Sequence, residues 1–303
     1  MKFLVTGGAG FIGSHLIEYL VKHKHSVVVV DDLHSGKLEN ISNSKHQVEF
    51  FKLNILEQKK LKEIAKNVDG IFHEASLTSV QESFKKKTEY YNVNVIGTEN
   101  IFMIAKELGI RVVFASSAAV YGNINKIPIT ENSERKPQNP YGETKMKAEL
   151  LAEKYSQLGT QIIGLRYFNV YGPRQNVAYA GVITKFLENV SKHKPPLIHG
   201  DGLQVRDFVY VGDVVTANLL AMKSKTKQRF FNIGTGVATS ILDLATMIIN
   251  ASGLSIVPIY DAPLVGDVYT SQADISLAKS LLKWKPKTKL ENWITTFVRS
   301  MNK

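Results

Sequence analysis

The 303-residue chain has no cysteine. That excludes disulfides, thiolate nucleophiles and zinc sites built on cysteine, and it suits a reducing compartment, the cytoplasm. No apolar stretch approaches the ~18–20 residues that cross a bilayer, so no membrane association is expected. A secretory leader is not expected either. One lysine precedes a short apolar run, which breaks at Gly7 without a small-residue cleavage site. Internal repeats and low-complexity segments are also lacking. Acidic residues are in deficit: 27 Asp and Glu face 38 Lys and Arg, a net charge of +11. Nucleic-acid binding is one reading of that excess. The lysine clusters at 85–87 and 223–227 are not interleaved with aromatics and carry no nucleic-acid motif. A solvated lysine surface is therefore preferred, with no nucleic-acid partner; its field would also draw a dianionic substrate. What is present is globular: 44% hydrophobic and 21% charged residues, enough chain for one large domain or two lobes.

The first half alternates β-rich runs with helical patterns. KFLVT, SVVVVD, VEFFKL, DGIFHEA, RVVFASS and QIIGLRYFNV read as six strands. Their continuous Val, Ile and Phe content predicts strands buried on both faces. Ile12, Leu16, Tyr19 and Leu20 mark the face of a helix after the first strand. A long helix is expected over about 81–109 on Val93, Ile96, Ile101, Ile104 and Leu108, and another after Pro140 on Leu150, Leu151, Tyr155 and Leu158. Such alternation predicts an α/β fold with a doubly wound parallel sheet. After about residue 172 the pattern changes to the loop GPRQNVAYAGV, short strands, and helices near 212–222, 240–252, 276–283 and 290–302. Residues 1–172 are thus expected to form the main domain. Residues 173–303 should form a smaller mixed α/β lobe, with some later segments returning to the first.

The stretch FLVTGGAGFIGSHL holds Gly7, Gly10 and Gly13 directly after a strand and at the start of a helix. Glycine in a regular element is destabilising, so this density calls for a reason. A turn without side chains lets backbone approach a pyrophosphate, whose charge sits at the helix N-terminus. A simple tight turn is the plain alternative. Asp31, 18 residues beyond Gly13 at the end of the second strand, strengthens the dinucleotide reading. A carboxylate there accepts from ribose hydroxyls and repels a 2′-phosphate, which favours NAD over NADP. Asp31 or Asp32 merely capping a loop is the competing account.

PYGETKMKAE places Tyr141 and Lys145 four apart, on one helical face. A phenol, with an unperturbed pKa near ~10, is a poor base. An adjacent ammonium, with the cation of an oxidised nicotinamide, is expected to stabilise the phenolate. By itself the pair is more often structural, but it follows the fifth strand, which ends in Ser116 and Ser117 where open parallel sheets bind ligands. Ser117 is the candidate that shares a proton with substrate and tyrosine. Ser116 is assigned to the cofactor side, and the alternative for both is packing or turn formation. No metal site is expected.

TGGAGFIGSH, SSAAVYG, PYGETK, LRYFNVYGPRQ, GDGLQVRDFVYVGDV, FNIGTG and the GDV at 266–268 occur in this order from Met1 to about Trp284. The set resembles the UDP-galactose (UDP-glucose) 4-epimerase family of extended short-chain dehydrogenases/reductases. The resemblance implies a Rossmann-like fold, NAD, a UDP-sugar substrate, a Ser117–Tyr141–Lys145 active site, and a homodimer built from the helices near 81–109 and 141–158. It implies that Gly7, Gly10, Phe11, Ile12, Gly13, Asp31, Asp32, Ser35 and Gly36 hold the adenosine diphosphate part of NAD. Asn54 and Ile55 would border adenine, Ala75 and Asn94 would lie near the cofactor's centre, and Tyr167 near nicotinamide. Asn169 and Arg206 would hold the UDP diphosphate, with Arg174, Val182 and Ser271 as further substrate contacts.

Related dehydratases and decarboxylases carry acidic residues where this chain has Ala118 and Ala119, which favours epimerisation. Leu264 stands where the family has a phosphate-pairing arginine, so Arg174 or a nearby lysine would have to substitute. Thr78 replaces a lysine found near nicotinamide in some members. Ser271 stands where many members carry Tyr or Cys, and so leaves room for a 2-acetamido group. A dehydratase or decarboxylase, or a non-catalytic NAD-binding protein, is the alternative.

Overall fold

The computed structural model describes residues 1–124, 126–175 and 181–301. Strands β1 (Lys2–Thr6), β2 (Ser26–Asp31), β3 (Val48–Lys52), β4 (Gly70–His73), β5 (Arg111–Ser117) and β6 (Ile162–Tyr167) come first in the chain. β7 (Asn169–Tyr171), β8 (Leu197–His199), β9 (Val205–Arg206), β10 (Phe208–Tyr210), β11 (Phe230–Ile233), β12 (Thr239–Ser240) and β13 (Ile259–Asp261) follow. The helices of the first half are α1 (Phe11–Lys22), α2 (Gln58–Ala65), α3 (Val80–Lys85), α4 (Lys87–Tyr91), α5 (Thr98–Leu108) and α6 (Pro140–Gln157). Those of the second are α7 (Val182–Ser191), α8 (Val211–Lys223), α9 (Ile241–Ser252), α10 (Ser276–Leu281) and α11 (Leu290–Met301).

Seven strands form one parallel sheet in the order β11-β6-β5-β4-β1-β2-β3. This is the doubly wound arrangement, extended by one strand beyond β6. The continuous apolar runs follow from it. Leu4, Val28, Val30, Ile71 and Val112 face a core shared with Ile101, Ile104, Ala148 and Ala152. Their chain neighbours Val5, Val27, Val29, Phe72 and Val113 face the other side, against Leu16, Leu20, Val214 and Val215. Alternate side chains leave opposite faces of a strand, and here both faces are covered. Tyr19, expected on the buried face of α1, is 37% exposed and stacks on His23. A third core joins Tyr171, Phe208, Ile183, Phe186 and Leu244 in the smaller lobe.

The helix expected over 81–109 is broken. α3 and α4 are short, and Asn92–Gly97 is a π-helical turn before α5. Its Asn94 side chain is buried, donating to Leu77 O at 2.9 Å and Thr144 Oγ1 at 3.0 Å and accepting from Leu77 N at 2.8 Å. The extra residue of a π turn aims that amide at the neighbouring segments, at the cost of a straight helix. β6 and β7, expected as one strand, separate at Phe168, and β7 pairs with β10 instead. β11 was not expected. It pairs with β6, Phe230 opposite Gly164, so the sheet is completed by chain from beyond residue 172.

Candidate active site

A cleft of ≈ 820 Å³ runs over the C-terminal ends of the parallel strands, from the glycine turn after β1 to the ends of β5 and β6. The glycines do different jobs. Gly7 has φ +67, and a Cβ there would lie 2.6 Å from Ala75 N. A Cβ on Gly13 would lie 2.3 Å from Gly7 O, so both are fixed by packing. At Gly10 a Cβ would meet only Gly7 O, at 3.0 Å, and its open side lines the cleft. Gly10 offers no side chain to cap α1. The first-turn N–H groups of Phe11, Ile12 and Gly13 therefore present an anion-seeking end to the cleft. A diphosphate fits that cradle.

Asp31 ends β2 and is buried; its Oδ2 accepts from Ala9 N at 2.9 Å and its Oδ1 from Leu33 N at 2.8 Å. Burial raises its carboxyl pKa, and the two backbone donors oppose that rise. Asp32 accepts from Asn54 Nδ2 at 2.7 Å, and with Ser35, Asn54 and Ile55 it lines the same end of the cleft.

At the other end, Asn139 caps α6 through Gly142 N, 2.8 Å from its Oδ1, and Pro140 starts the helix. This places Tyr141 in the first turn and Lys145 one turn on. Lys145 Nζ donates to Ala115 O at 2.8 Å and lies 5.9 Å from the Tyr141 ring centroid. Ser117 Oγ accepts from Ala119 N at 3.1 Å, capping a 3₁₀ turn over Ala118–Val120. All three line the cleft together. Burial raises the Tyr141 pKa, and the hydrogen bond with Ser117 opposes it. Burial lowers Lys145 to about 8, against Glu74 and Glu149. Burial thus works against the charged form of both groups, and the ammonium makes its hydrogen bond to the Ala115 carbonyl.

Ala75 and Tyr167 also line the cleft. Ser116 contributes to its wall, but its hydroxyl donates to Glu149 Oε1 at 2.6 Å. That carboxylate is buried and held by Arg166 through Nε at 2.8 Å and Nη2 at 2.7 Å. Gly36 and Asn94 lie outside the lining, Gly36 packed behind Asp31.

The substrate candidates divide. Asn169 and Arg174 line the cleft; Val182, Arg206 and Ser271 do not. Arg174 is anchored to α1 through Glu18 Oε2 at 2.6 Å and His15 Nδ1 at 2.6 Å, and to the segment after β2 through Asn40 O at 2.8 Å. Arg206 pairs with Asp267 at 2.5 Å. Leu264 and Asp267 instead line a second hollow of ≈ 480 Å³ with His199 and Tyr269. Part of the loop GPRQNVAYAGV, residues 176–180, lies outside the described residues.

Glu74 was missed by sequence reasoning. It directly follows β4 and lines the cleft, and its Oε1 accepts from Tyr167 Oη at 3.0 Å. The available signal was a carboxylate placed directly after the strand run GIFH.

Comparison with known proteins places this architecture. The model of the NAD dependent epimerase/dehydratase family matches residues 3–234. The chain belongs to that family. A putative UDP-glucose 4-epimerase of Methanocaldococcus jannaschii is 40% identical over 303 residues, covering 98% of this chain and 97% of the relative. A Thermotoga maritima UDP-glucose 4-epimerase solved with UDP-glucose superposes with a TM-score of 0.95 at 36% identity, covering 100% of this chain and 99% of that one. A UDP-N-acetylglucosamine 4-epimerase of Methanobrevibacter ruminantium M1, solved with UDP-N-acetylmuramic acid, has a TM-score of 0.93 at 35% identity, covering 98% and 97%. The family's cofactor is NAD, and the glycine cradle and buried Asp31 suit it.

Proposed function

We propose that this epimerase/dehydratase family member inverts C4 of a UDP-hexose. The observation that carries the reading is the convergence of Ser117, Tyr141 and Lys145 at one end of a cleft whose other end is a glycine cradle. Bound NAD supplies a reversible acceptor for the hydrogen on the sugar's C4. Gly7, Gly10 and the first turn of α1 would hold its diphosphate, with Asp31 on the adenosine ribose. Tyr141 takes the O4 proton and later returns it, and Ser117 shares that proton through its hydroxyl. Lys145 holds positive charge beside them.

Between the two proton transfers the sugar must present its other face while the diphosphate stays fixed. Asn169 at the cleft wall and Arg206 are assigned to that grip. Arg206 exchanges its partner Asp267 for phosphate oxygens, which its fork geometry matches. Arg174, at the cleft wall, would stand in for the arginine replaced by Leu264 by a like exchange of Glu18 for phosphate oxygens.

Ala118 and Ala119, in the 3₁₀ turn after β5, offer no acid or base for work at C5 or C6, which supports epimerisation over dehydration or decarboxylation. Ser271 supports acceptance of 2-acetamido sugars beside UDP-glucose and UDP-galactose. Tyr91, Ile96, Leu150 and Leu158 are large apolar side chains, 37–52% exposed, on α4, the π turn, α6 and the α6 C-cap. They support a homodimer through these helices.

The test is a panel of UDP- and dTDP-sugars, hexoses and hexuronic acids, with product analysis at C4, C5 and C6. Interconversion of UDP-galactose and UDP-glucose is expected, with UDP-GalNAc also turned over. Loss of water or carbon dioxide from any substrate, without C4 inversion, would overturn the assignment.

A further inference from the structure

Glu74 is placed where a charge has consequences and the steps above do not use it. β4 and β5 run side by side with His73 opposite Phe114, so Glu74 comes level with Ala115, whose carbonyl takes the Lys145 ammonium. β5 and β6 pair Ser117 with Tyr167. Glu74, Ser117, Tyr141, Lys145 and Tyr167 therefore surround one end of the cleft.

A hydrogen-bond chain fixes the carboxylate. Asn218 Nδ2 on α8 donates to Tyr167 Oη at 2.7 Å, and that hydroxyl donates to Glu74 Oε1 at 3.0 Å. Among the described residues, the buried Glu74 Oε2 has no hydrogen-bond partner. Such a group is costly to leave unpaired, so a ligand that supplies a partner or a counter-charge is favoured there. The groups that face it are Tyr167 from β6, Lys145 from α6 and the neutral Asn218 from α8. Burial pushes the carboxyl up to about 7, with Tyr167 and Lys145 opposing.

We propose that Glu74 sets the redox poise of the bound dinucleotide, its carboxylate favouring the cationic, oxidised nicotinamide over the neutral, reduced one. This rests on the NAD-dependent reading of the cleft. The nicotinamide end must lie by Tyr141 for the C4 hydrogen and the O4 proton to move together, which brings the ring to the ends of β4, β5 and β6. A half-buried carboxylate whose Oε2 is covered interacts with a cation at reduced effective dielectric, and Tyr167 aims it. Preference for the oxidised form on the order of tenfold is expected from such a pair.

The holoprotein tests this. Wild-type protein and Glu74→Gln, each loaded with NAD and desalted, are equilibrated with a redox dye, and reduced cofactor is followed by its near-ultraviolet absorbance. At pH 8.5 the midpoint potential of Glu74→Gln should lie about 30 mV above wild type, the equivalent of tenfold for a two-electron couple. At pH 5.5, with the carboxyl protonated, the two should coincide. The wild type alone gives a second reading. One proton per two electrons sets a slope of about −30 mV per pH unit, and coupled protonation of Glu74 should make it steeper between pH 5.5 and 7.5. Equal potentials at pH 8.5, or an unsteepened wild-type slope if the variant does not fold, overturn the role of Glu74 alone. A wild-type protein that shows no saturable binding of NAD or NADH at any concentration overturns the cofactor reading with it.

Discussion

Tyr141 sits in a pocket that disfavours its own ionisation, since burial raises its pKa and Lys145 is held by a backbone carbonyl. Ionisation must then be assisted by charge brought in with the cofactor. Tyr141→Phe should lower turnover on the order of 10²–10⁴-fold while bound NAD, measured after denaturation, stays at the wild-type level. Glu74 makes a second, thermodynamic prediction. Its folded pKa, about 7, lies above the ordinary carboxylate value, so the native state binds the proton more tightly than the unfolded chain does. The resulting stability is complete below the unfolded pKa of ~4.3 and is lost as pH rises through the folded value. Glu74→Gln, which stays neutral, should match wild type in denaturant melts near pH 4. Above pH 8 it should be more stable, by up to about 4 kcal/mol. Tyr141 and Lys145 were legible because i,i+4 spacing is a local property of the chain. Glu74 was not, because nothing local says that a carboxylate at a strand end will lie half-buried against Tyr167, 93 residues away.

α6 carries the reactive pair, and its register depends on one side chain. Asn139 is buried; it caps Gly142 N and donates from Nδ2 to Gly266 O at 3.1 Å, tying the helix start to the smaller lobe. Asn139→Ala should cost about 1–2 kcal/mol by the loss of the cap. Since Tyr141 is two residues on, kcat should fall beyond what that stability loss explains when both are measured well below the melting temperature. Capping was readable from sequence in principle, as Asn-Pro before a helical pattern. The breaks within 80–108 were not. Val93, Ile96, Ile101 and Ile104 keep nearly helical apolar spacing through the π turn, so periodicity alone runs straight across it. The turn is paid for by tertiary bonds from Asn94 to Leu77 and Thr144.

The assembled protein makes two further commitments. If the exposed apolar residues on α4, the π turn and α6 pack against a second copy, Leu150→Glu with Leu158→Glu should convert a dimer into a monomer by light scattering, with the far-ultraviolet circular dichroism unchanged. The sheet makes the other. Six of its strands were readable as apolar runs, but β11 (Phe230–Ile233) lies within chain whose short strands and loops point to a separate lobe. It nevertheless forms the edge beside β6, and α8 packs against β5 and β6. A fragment of residues 1–172 would lack both and leave the flank of β6 unpaired. Such edges recruit other strands, so the fragment should aggregate on expression rather than yield an isolated cofactor-binding domain.

The late arrival of β11 also has a cost in time. On the ribosome, β6 emerges well before residue 230, and for that interval the nascent sheet has an open seam. Synonymous codon changes that slow translation between residues 168 and 229 should therefore lower the soluble yield of an unaltered amino-acid sequence, and a chaperone that shields exposed strands should restore it.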